Sequence, residues 1–113
     1  MIKAKFYTKD GSIRMELSGH AGQAKKGKDL VCASASMLAY TVAQTVRFMF
    51  EEYKMTEEPQ VVLEDGNAFV EAVPKSEHYA EALHTFFVGQ VGFHLLAHNY
   101  PQAVELISFG KSL

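Results

Sequence analysis

Two stretches of the chain alternate apolar and polar residues, which is the pattern of a half-buried strand. Over residues 1–18 the alternation is interrupted at Asp10-Gly11, and over residues 60–73 it is interrupted at Asp65-Gly66. Asp and Gly both tolerate the positive φ of a tight turn, so each stretch predicts a β-hairpin. We expect the strands of the second hairpin at residues 60–64 and 67–73, followed by Pro74.

Two longer segments place apolar residues every three or four positions, which is the helical period. The first should begin at Leu30, after Asp29 as N-cap, and run to about residue 54, where Glu57, Glu58 and Pro59 break the pattern. The second should span about residues 77–98. The residues expected to be buried are Val31, Ala35, Leu38, Val42, Val46, Met49 and Tyr53 on the first helix, and Ala80, Leu83, Phe87, Val91 and Leu95 on the second.

Gly89 and Gly92 lie inside the second helix, where each costs about 1 kcal/mol relative to alanine. Close packing against the alanine-rich first helix would explain them. A last strand is expected at residues 104–109, although Pro101 could instead begin a short helix. The fold class is therefore α+β in one domain over residues 1–113. Its predicted order is strand, strand, helix, strand, strand, helix, strand, with a mostly antiparallel sheet and two packed helices.

Composition narrows the possible functions. The chain has 11 basic and 13 acidic residues among 113, so it lacks the basic surface of a general nucleic-acid binder, and no direct nucleic acid partner is expected. Residues 1–7 lack the apolar run of a secretory signal, and a single cysteine cannot form an internal disulfide, so a cytoplasmic protein is expected. Residues 30–50 approach membrane length, but the polar residues Ser34, Thr41 and Gln44 favour a buried helix and no membrane partner.

The single cysteine, Cys32, falls at the third position of the first predicted helix. An ordinary thiol, with a pKa near ~8.5, is mostly protonated at neutral pH, whereas nucleophilic chemistry needs the thiolate. A helix start stabilises a negative charge by at most ~2 kcal/mol, and the nearby Asp29 carboxylate opposes it. A histidine that accepts the proton would supply the rest, and His20 lies at the other end of the same glycine-rich loop. From the residues alone, a packed free cysteine remains the alternative.

The segments around these two residues carry a longer pattern. The chain reads Gly19-His20-Ala21, and then Gly27-Lys28-Asp29-Leu30-Val31-Cys32-Ala33-Ser34-Ala35-Ser36. This closely resembles the signature of the bacterial ribosomal-processing cysteine protease family Prp, whose pattern is Gly-His-Ala followed by Gly-x-Asp-Ile-Val-Cys-Ala-Ala-Val-Ser. The chain departs from it at Leu30, Ser34 and Ala35, and none of these departures removes a reactive group.

The resemblance implies a thiol endopeptidase that removes the N-terminal extension of a large-subunit ribosomal protein, without a cofactor or metal. It implies Cys32 as nucleophile and His20 as general base. Asp29 either orients His20 or caps the helix, and Ser36 either supports the site by a hydrogen bond or bonds back to the Cys32 carbonyl. N–H groups at the helix start, including that of Cys32, could hold the oxyanion. The resemblance also implies a homodimer.

The resemblance further implies that the loop over residues 21–28 admits the substrate peptide and orders around it. The residues assigned to this substrate loop are Gly19, Ala21, Gly22, Gly27 and Lys28.

Three other interpretations of the sequence compete with a cysteine protease. Gly22 to Asp29 is one substitution short of a phosphate-binding P-loop, but Asp29 replaces the hydroxyl that would bind magnesium. His94 and His98 have the spacing of metal ligands on a helix, but the glutamate of a zinc protease is missing. A non-catalytic ribosome-associated binding module would use Lys25, Lys26 and Lys28 against RNA, although no aromatic residue lies among them.

Overall fold

A computed structural model describes residues 1–22 and 29–109 of the chain. The elements in chain order are β1 (Ile2–Lys9), β2 (Ser12–Ser18), α1 (Leu30–Glu51), β3 (Gln60–Glu64), β4 (Asn67–Ala72), α2 (Tyr79–Asn99) and β5 (Val104–Ile107). A single 3-10 turn, Ser76–His78, precedes α2. The predicted element order and the α+β class are confirmed, and the segment after Pro101 forms the predicted strand.

The five strands form one sheet in the order β3-β4-β2-β1-β5. All neighbouring strands are antiparallel except β1 and β5, which are parallel because the chain crosses over through α2 before it enters β5. Both helices cover the same side of the sheet: α1 lies over β3 and β4, and α2 lies over β1, β2 and β5. The predicted mostly antiparallel sheet with two packed helices is therefore confirmed.

The core lies between the sheet and the helix pair. Alternate residues of β1 and β2 point into it, as the sequence alternation predicts, and β4 contributes in the same way. The buried strand residues are Ile2, Ala4, Phe6, Ile13, Met15, Leu17, Ala68, Val70 and Ala72. The ring of Phe6 is fully buried and packs at 5.9 Å, between ring centres, against both Phe93 of α2 and Phe109.

The buried face of α1 largely matches the prediction, but its last residue does not. Tyr53 is 81% exposed, because α1 ends at Glu51 and Tyr53 adopts a left-handed conformation with a φ of 63°. The Lys54 N–H donates to the Met49 carbonyl, which closes the helix end. Helix α1 is therefore about three residues shorter than predicted.

The predicted buried face of α2 is wrong. The residues that are buried are Ala82, Phe86, Gly89, Gln90 and Phe93, whereas Ala80 is exposed and Leu95 is 55% exposed. Apolar residues surround most of this helix, so their spacing does not single out one face. The face that packs is the one that carries Gly89.

The last strand is two residues shorter than predicted, ending at Ile107 rather than at Phe109. The chain leaves the sheet there, and the Phe109 N–H donates to Oε1 of the buried Gln90 at 3.2 Å. Hydrogen bonding to a helix side chain thus replaces strand pairing at this end.

The two glycines of α2 bring the helices together, as predicted. A Cβ on Gly89 would lie 2.5 Å from Cγ2 of Val42, and a Cβ on Gly92 would lie 2.5 Å from Cδ2 of Leu38. Both neighbours belong to α1. Glycine at these two positions therefore lets the two helices approach each other closely.

Some sequence predictions fall outside the described residues. These are the statements about Gly27, Lys28 and the lysines at 25 and 26, and most of the loop over residues 21–28. Within the described part of the chain, neither helix has the length and apolar content that would be needed to cross a bilayer.

The helix contact predicts different costs for two alanine substitutions. Gly89→Ala should destabilise the protein by about 1–2 kcal/mol, because the new methyl group overlaps the buried, β-branched Val42 by more than the gain in helix propensity offsets. Gly92→Ala should cost less, because it meets the flexible end of a half-buried leucine. Urea unfolding of both variants measures the difference. Equal free energies of unfolding for Gly89→Ala and Gly92→Ala would contradict the close contact at Gly89. In the Gly89→Ala protein, the further substitution Val42→Ala should recover part of the lost stability.

Candidate active site

The pairing of β2 with β4 places the end of β2 beside the β3–β4 turn. Ser18 is opposite Asn67 in the register, and the Gly19 N–H extends the ladder by donating to the Gly66 carbonyl at 3.0 Å. His20 therefore leaves the sheet directly over the Asp65-Gly66 turn.

Gly19 makes this exit from the sheet possible. Its φ is +90°, and a Cβ at this position would lie 2.2 Å from the carbonyl oxygen of Met1. A side chain at residue 19 is therefore excluded both by the backbone conformation and by the backbone of Met1. Gly19 turns the chain towards the start of α1.

Asp29 is the N-cap of α1. Its Oδ1 accepts hydrogen bonds from the Val31 N–H at 2.9 Å and from the Cys32 N–H at 3.1 Å, and its side chain is buried. Of the two roles considered from the sequence, capping is the one that the structure displays. Among the N–H groups considered for the oxyanion, that of Cys32 already donates to this cap.

The thiol of Cys32 is half-buried at the first turn of α1. The Ala21 N–H, from the other end of the loop, donates to its Sγ at 3.4 Å. A hydrogen bond to sulfur stabilises the thiolate more than the thiol. Ala21 therefore lies beside the first turn of α1 with its N–H aimed at the sulfur.

His20 and Cys32 line one cleft, as the sequence predicts. Its other walls come from α1, from the ends of β2 and β4 and from the β3–β4 turn; they include Ser36, Tyr40, Leu63, Asp65, Gly66 and Asn67. The cleft holds about 80 Å³, much less than the ~300 Å³ or more of a site that encloses a small ligand. Its size and openness suit an extended chain lying across it, with only a few atoms entering.

Among the described residues, His20 and Cys32 share this cleft without a hydrogen bond between them. The imidazole is 60% exposed, and its Nδ1 lies 3.9 Å from Oδ1 of Asp65. Sequence reasoning placed Asp65 in the β3–β4 turn and missed its place at the site. No sequence signal was available, because the contact depends on which strand lies next to β2.

The remaining predicted residues lie at the margin of the site. Ser36 is exposed on the cleft wall, one helical turn after Cys32, and neither of its two suggested hydrogen bonds is found within residues 1–22 and 29–109. A serine hydroxyl that bonds to the carbonyl four residues earlier is found instead at Ser34, which donates to the Leu30 carbonyl at 2.7 Å. Ala21 is buried, whereas Gly22 is exposed with a φ of +69°.

The described side chains contain no group of three or more histidine, cysteine, aspartate and glutamate residues arranged to hold a metal ion. His94 and His98 stack their rings on each other, with centres 6.5 Å apart, on the surface of α2.

A cysteine thiol in a shallow cleft with a histidine is the arrangement of a thiol hydrolase, and the family comparison agrees. The model of the family described as cysteine protease Prp matches residues 1–105. The chain belongs to the cysteine protease Prp family. It is therefore a cysteine protease.

Solved structures share the fold of this Prp family member. The ribosomal processing protease Prp from S. aureus, in complex with a covalently linked product peptide, superimposes with a TM-score of 0.73 at 20% identity, covering 96% of this chain and 99% of that one. The same S. aureus protease in complex with a substrate peptide superimposes with a TM-score of 0.66 at 19% identity, covering 96% of this chain and 99% of that one. SMU.848 from Streptococcus mutans superimposes with a TM-score of 0.68 at 26% identity, covering 96% of this chain and 94% of that one. No curated protein sequence matches the chain.

The capping role of Asp29 can be separated from a role in orienting His20. Asp29→Ala should destabilise the protein by about 1 kcal/mol, because it leaves two N–H groups without their acceptor. Asp29→Asn should retain most of this stability, since asparagine caps about as well. Thermal unfolding measures both changes.

The alkylation rate of Cys32 at pH 7 gives the second readout. Asp29→Asn should not lower this rate, because it removes a negative charge that opposes the thiolate. A loss of alkylation of about tenfold or more in a stable Asp29→Asn protein would instead indicate that the carboxylate orients the imidazole.

Proposed function

We propose that this cysteine protease removes the N-terminal extension of a large-subunit ribosomal protein, with Cys32 as nucleophile and His20 as general base. The observation that carries the proposal is the cleft shared by these two side chains in a chain of the Prp family. Cys32 is the single cysteine in the sequence, so a thiol mechanism depends on it.

The substrate class follows from the resemblance and is supported by the solved relatives. The S. aureus protein is described as a ribosomal processing protease, and its complexes with a substrate peptide and with a covalently linked product peptide fit a nucleophilic mechanism. The open cleft of this chain suits the extended peptide that such a substrate would present. A cytoplasmic location and a homodimer, which the sequence and the resemblance suggest, belong to the same proposal.

The first half of the reaction forms a thioester. In the cleft that it shares with Sγ, the imidazole of His20 takes the thiol proton. The thiolate attacks the scissile carbonyl carbon, and a carbon–sulfur bond forms as the carbonyl electrons move to oxygen. When the tetrahedral intermediate collapses, the carbon–nitrogen bond breaks and the imidazolium donates its proton to the leaving amine.

The second half releases the remaining fragment. His20, again neutral, takes a proton from water as the water oxygen attacks the thioester carbon. The carbon–sulfur bond then breaks, the carboxylic acid leaves, and the imidazolium returns its proton to the sulfur, which restores the thiol. The product amine is the new N-terminus of the ribosomal protein.

The local structure supports the charged states of this cycle. The Ala21 N–H points at the sulfur and the positive end of α1 lies beside it, so both stabilise the thiolate. The buried Asp29 fixes the first turn of the helix that carries Cys32. Ser36 lines the cleft one turn later, where a bound peptide would pass.

The proposal predicts selective loss of cleavage. Incubation with a ribosomal precursor peptide should give one cut with the intact chain, no cut with Cys32→Ala, and a rate at least about a hundredfold lower with His20→Ala. Mass spectrometry of the products measures this. His98→Ala, at an exposed histidine of α2 outside the cleft, is the matched control and should cleave normally.

Folding must be checked beside activity. Unchanged circular dichroism and unfolding temperature in Cys32→Ala and His20→Ala would show that the loss is chemical. Absence of cleavage by the intact chain would contradict the proposed substrate, and undiminished cleavage by Cys32→Ala would contradict the thiol mechanism.

A further inference from the structure

The Asp65-Gly66 turn lies against the imidazole of His20. The backbone of the turn is joined to the residue before His20 by the Gly19 N–H···O=C Gly66 hydrogen bond. The ring itself rests where a side chain of residue 66 would be: a Cβ on Gly66 would lie 2.7 Å from Nε2 and 3.1 Å from Cε1 of His20. The space taken by the imidazole is therefore available because residue 66 is glycine.

The other hairpin shows that turn geometry alone does not account for this contact. Gly11 follows Asp10 in the β1–β2 turn and has a φ of +83°, close to the +76° of Gly66. A Cβ on Gly11 would meet nothing within 4 Å. Both glycines satisfy a left-handed backbone, but only Gly66 also makes room for a side chain of the candidate active site.

Asp65 brings a carboxylate to the same ring. Its Oδ1 lies 3.9 Å from Nδ1 of His20, which is too long for a hydrogen bond and within reach of an ion pair when the imidazole is protonated. Both side chains are more than half exposed, so the attraction is modest and screened by solvent. The negative charge of Asp65 attracts the imidazolium, which is the form of His20 that would pair with a thiolate.

We propose that the Asp65-Gly66 turn is the positioning element of His20. Gly66 leaves the space that the imidazole occupies at the edge of the cleft, and Asp65 stabilises its protonated form through charge. The inference rests on the proposed function for the role of His20 as base, and it adds residues of the β3–β4 turn that act through the imidazole rather than on the substrate.

The first test compares alanine in the two turns. Gly66→Ala should lower kcat/KM for the ribosomal precursor peptide by about tenfold to a hundredfold, because a displaced catalytic group loses its alignment. Gly11→Ala introduces the same backbone strain away from the site and should leave kcat/KM within about twofold of the intact chain. Equal effects of the two substitutions would overturn the role of Gly66.

The second test isolates the charge of Asp65. Asp65→Asn should lower kcat/KM by about two- to fivefold, the size expected for an exposed ion pair. It should also move the pH profile of Cys32 alkylation by iodoacetamide towards higher pH, a change that loss of stability alone does not cause. Asp10→Asn, in the other turn, should leave the profile in place. An unmoved profile in Asp65→Asn would overturn the role of the carboxylate.

The alkylation readout separates this inference from the proposed substrate. It needs only the free protein and iodoacetamide, so Gly66→Ala and Asp65→Asn can be judged even if the precursor peptide is not cut. Slower alkylation at pH 7 in Gly66→Ala than in Gly11→Ala supports the positioning turn. Identical alkylation of these two glycine variants contradicts it, whatever the substrate of the enzyme is.

Discussion

The pairing of β2 with β4 is the constraint on which the site depends. It places Ser18 opposite Asn67, so the last residues of β2 run alongside the β3–β4 turn. The Gly19 N–H then bonds to the Gly66 carbonyl, and the chain leaves the sheet at His20. A slip of one residue would reverse which residues of β2 face the core and would carry His20 away from the turn. The core residues Met15 and Leu17 therefore fix the position of a side chain that is itself exposed.

The start of α1 combines a structural need with a chemical one. The helix needs an acceptor for its first N–H groups, and Asp29 supplies it at the cost of a negative charge close to Cys32. The Ala21 N–H and the helix terminus act in the opposite direction on the sulfur. Because the Asp29 charge offsets part of what the Ala21 N–H and the helix terminus contribute, a thiolate at Cys32 would also need a positively charged neighbour. His20 lines the same cleft. An acidic cap and the proposed nucleophile can therefore share one turn of helix.

Local patterns in the sequence were sufficient for the elements, and they singled out His20 and Cys32, which line one cleft. Alternation around two Asp-Gly pairs predicted both hairpins, and the residues around His20 and Cys32 placed these two side chains between the end of β2 and the start of α1. The partners of His20 could not be predicted, because Asp65 and Gly66 reach it only through the order of strands in the sheet, which no local pattern encodes. The packed face of α2 was missed for a related reason: its apolar residues surround the helix, and the contact between Gly89 and Val42 selects the face.

The most direct test is the crystal structure of the protein after reaction with a peptide aldehyde. The account predicts a bond between Sγ of Cys32 and the aldehyde carbon, with the His20 imidazole within about 3.2 Å of the sulfur or of the new hydroxyl group. Failure to form the bond at Cys32, or an adduct whose sulfur and hydroxyl both lie beyond hydrogen-bond reach of the imidazole, would contradict it.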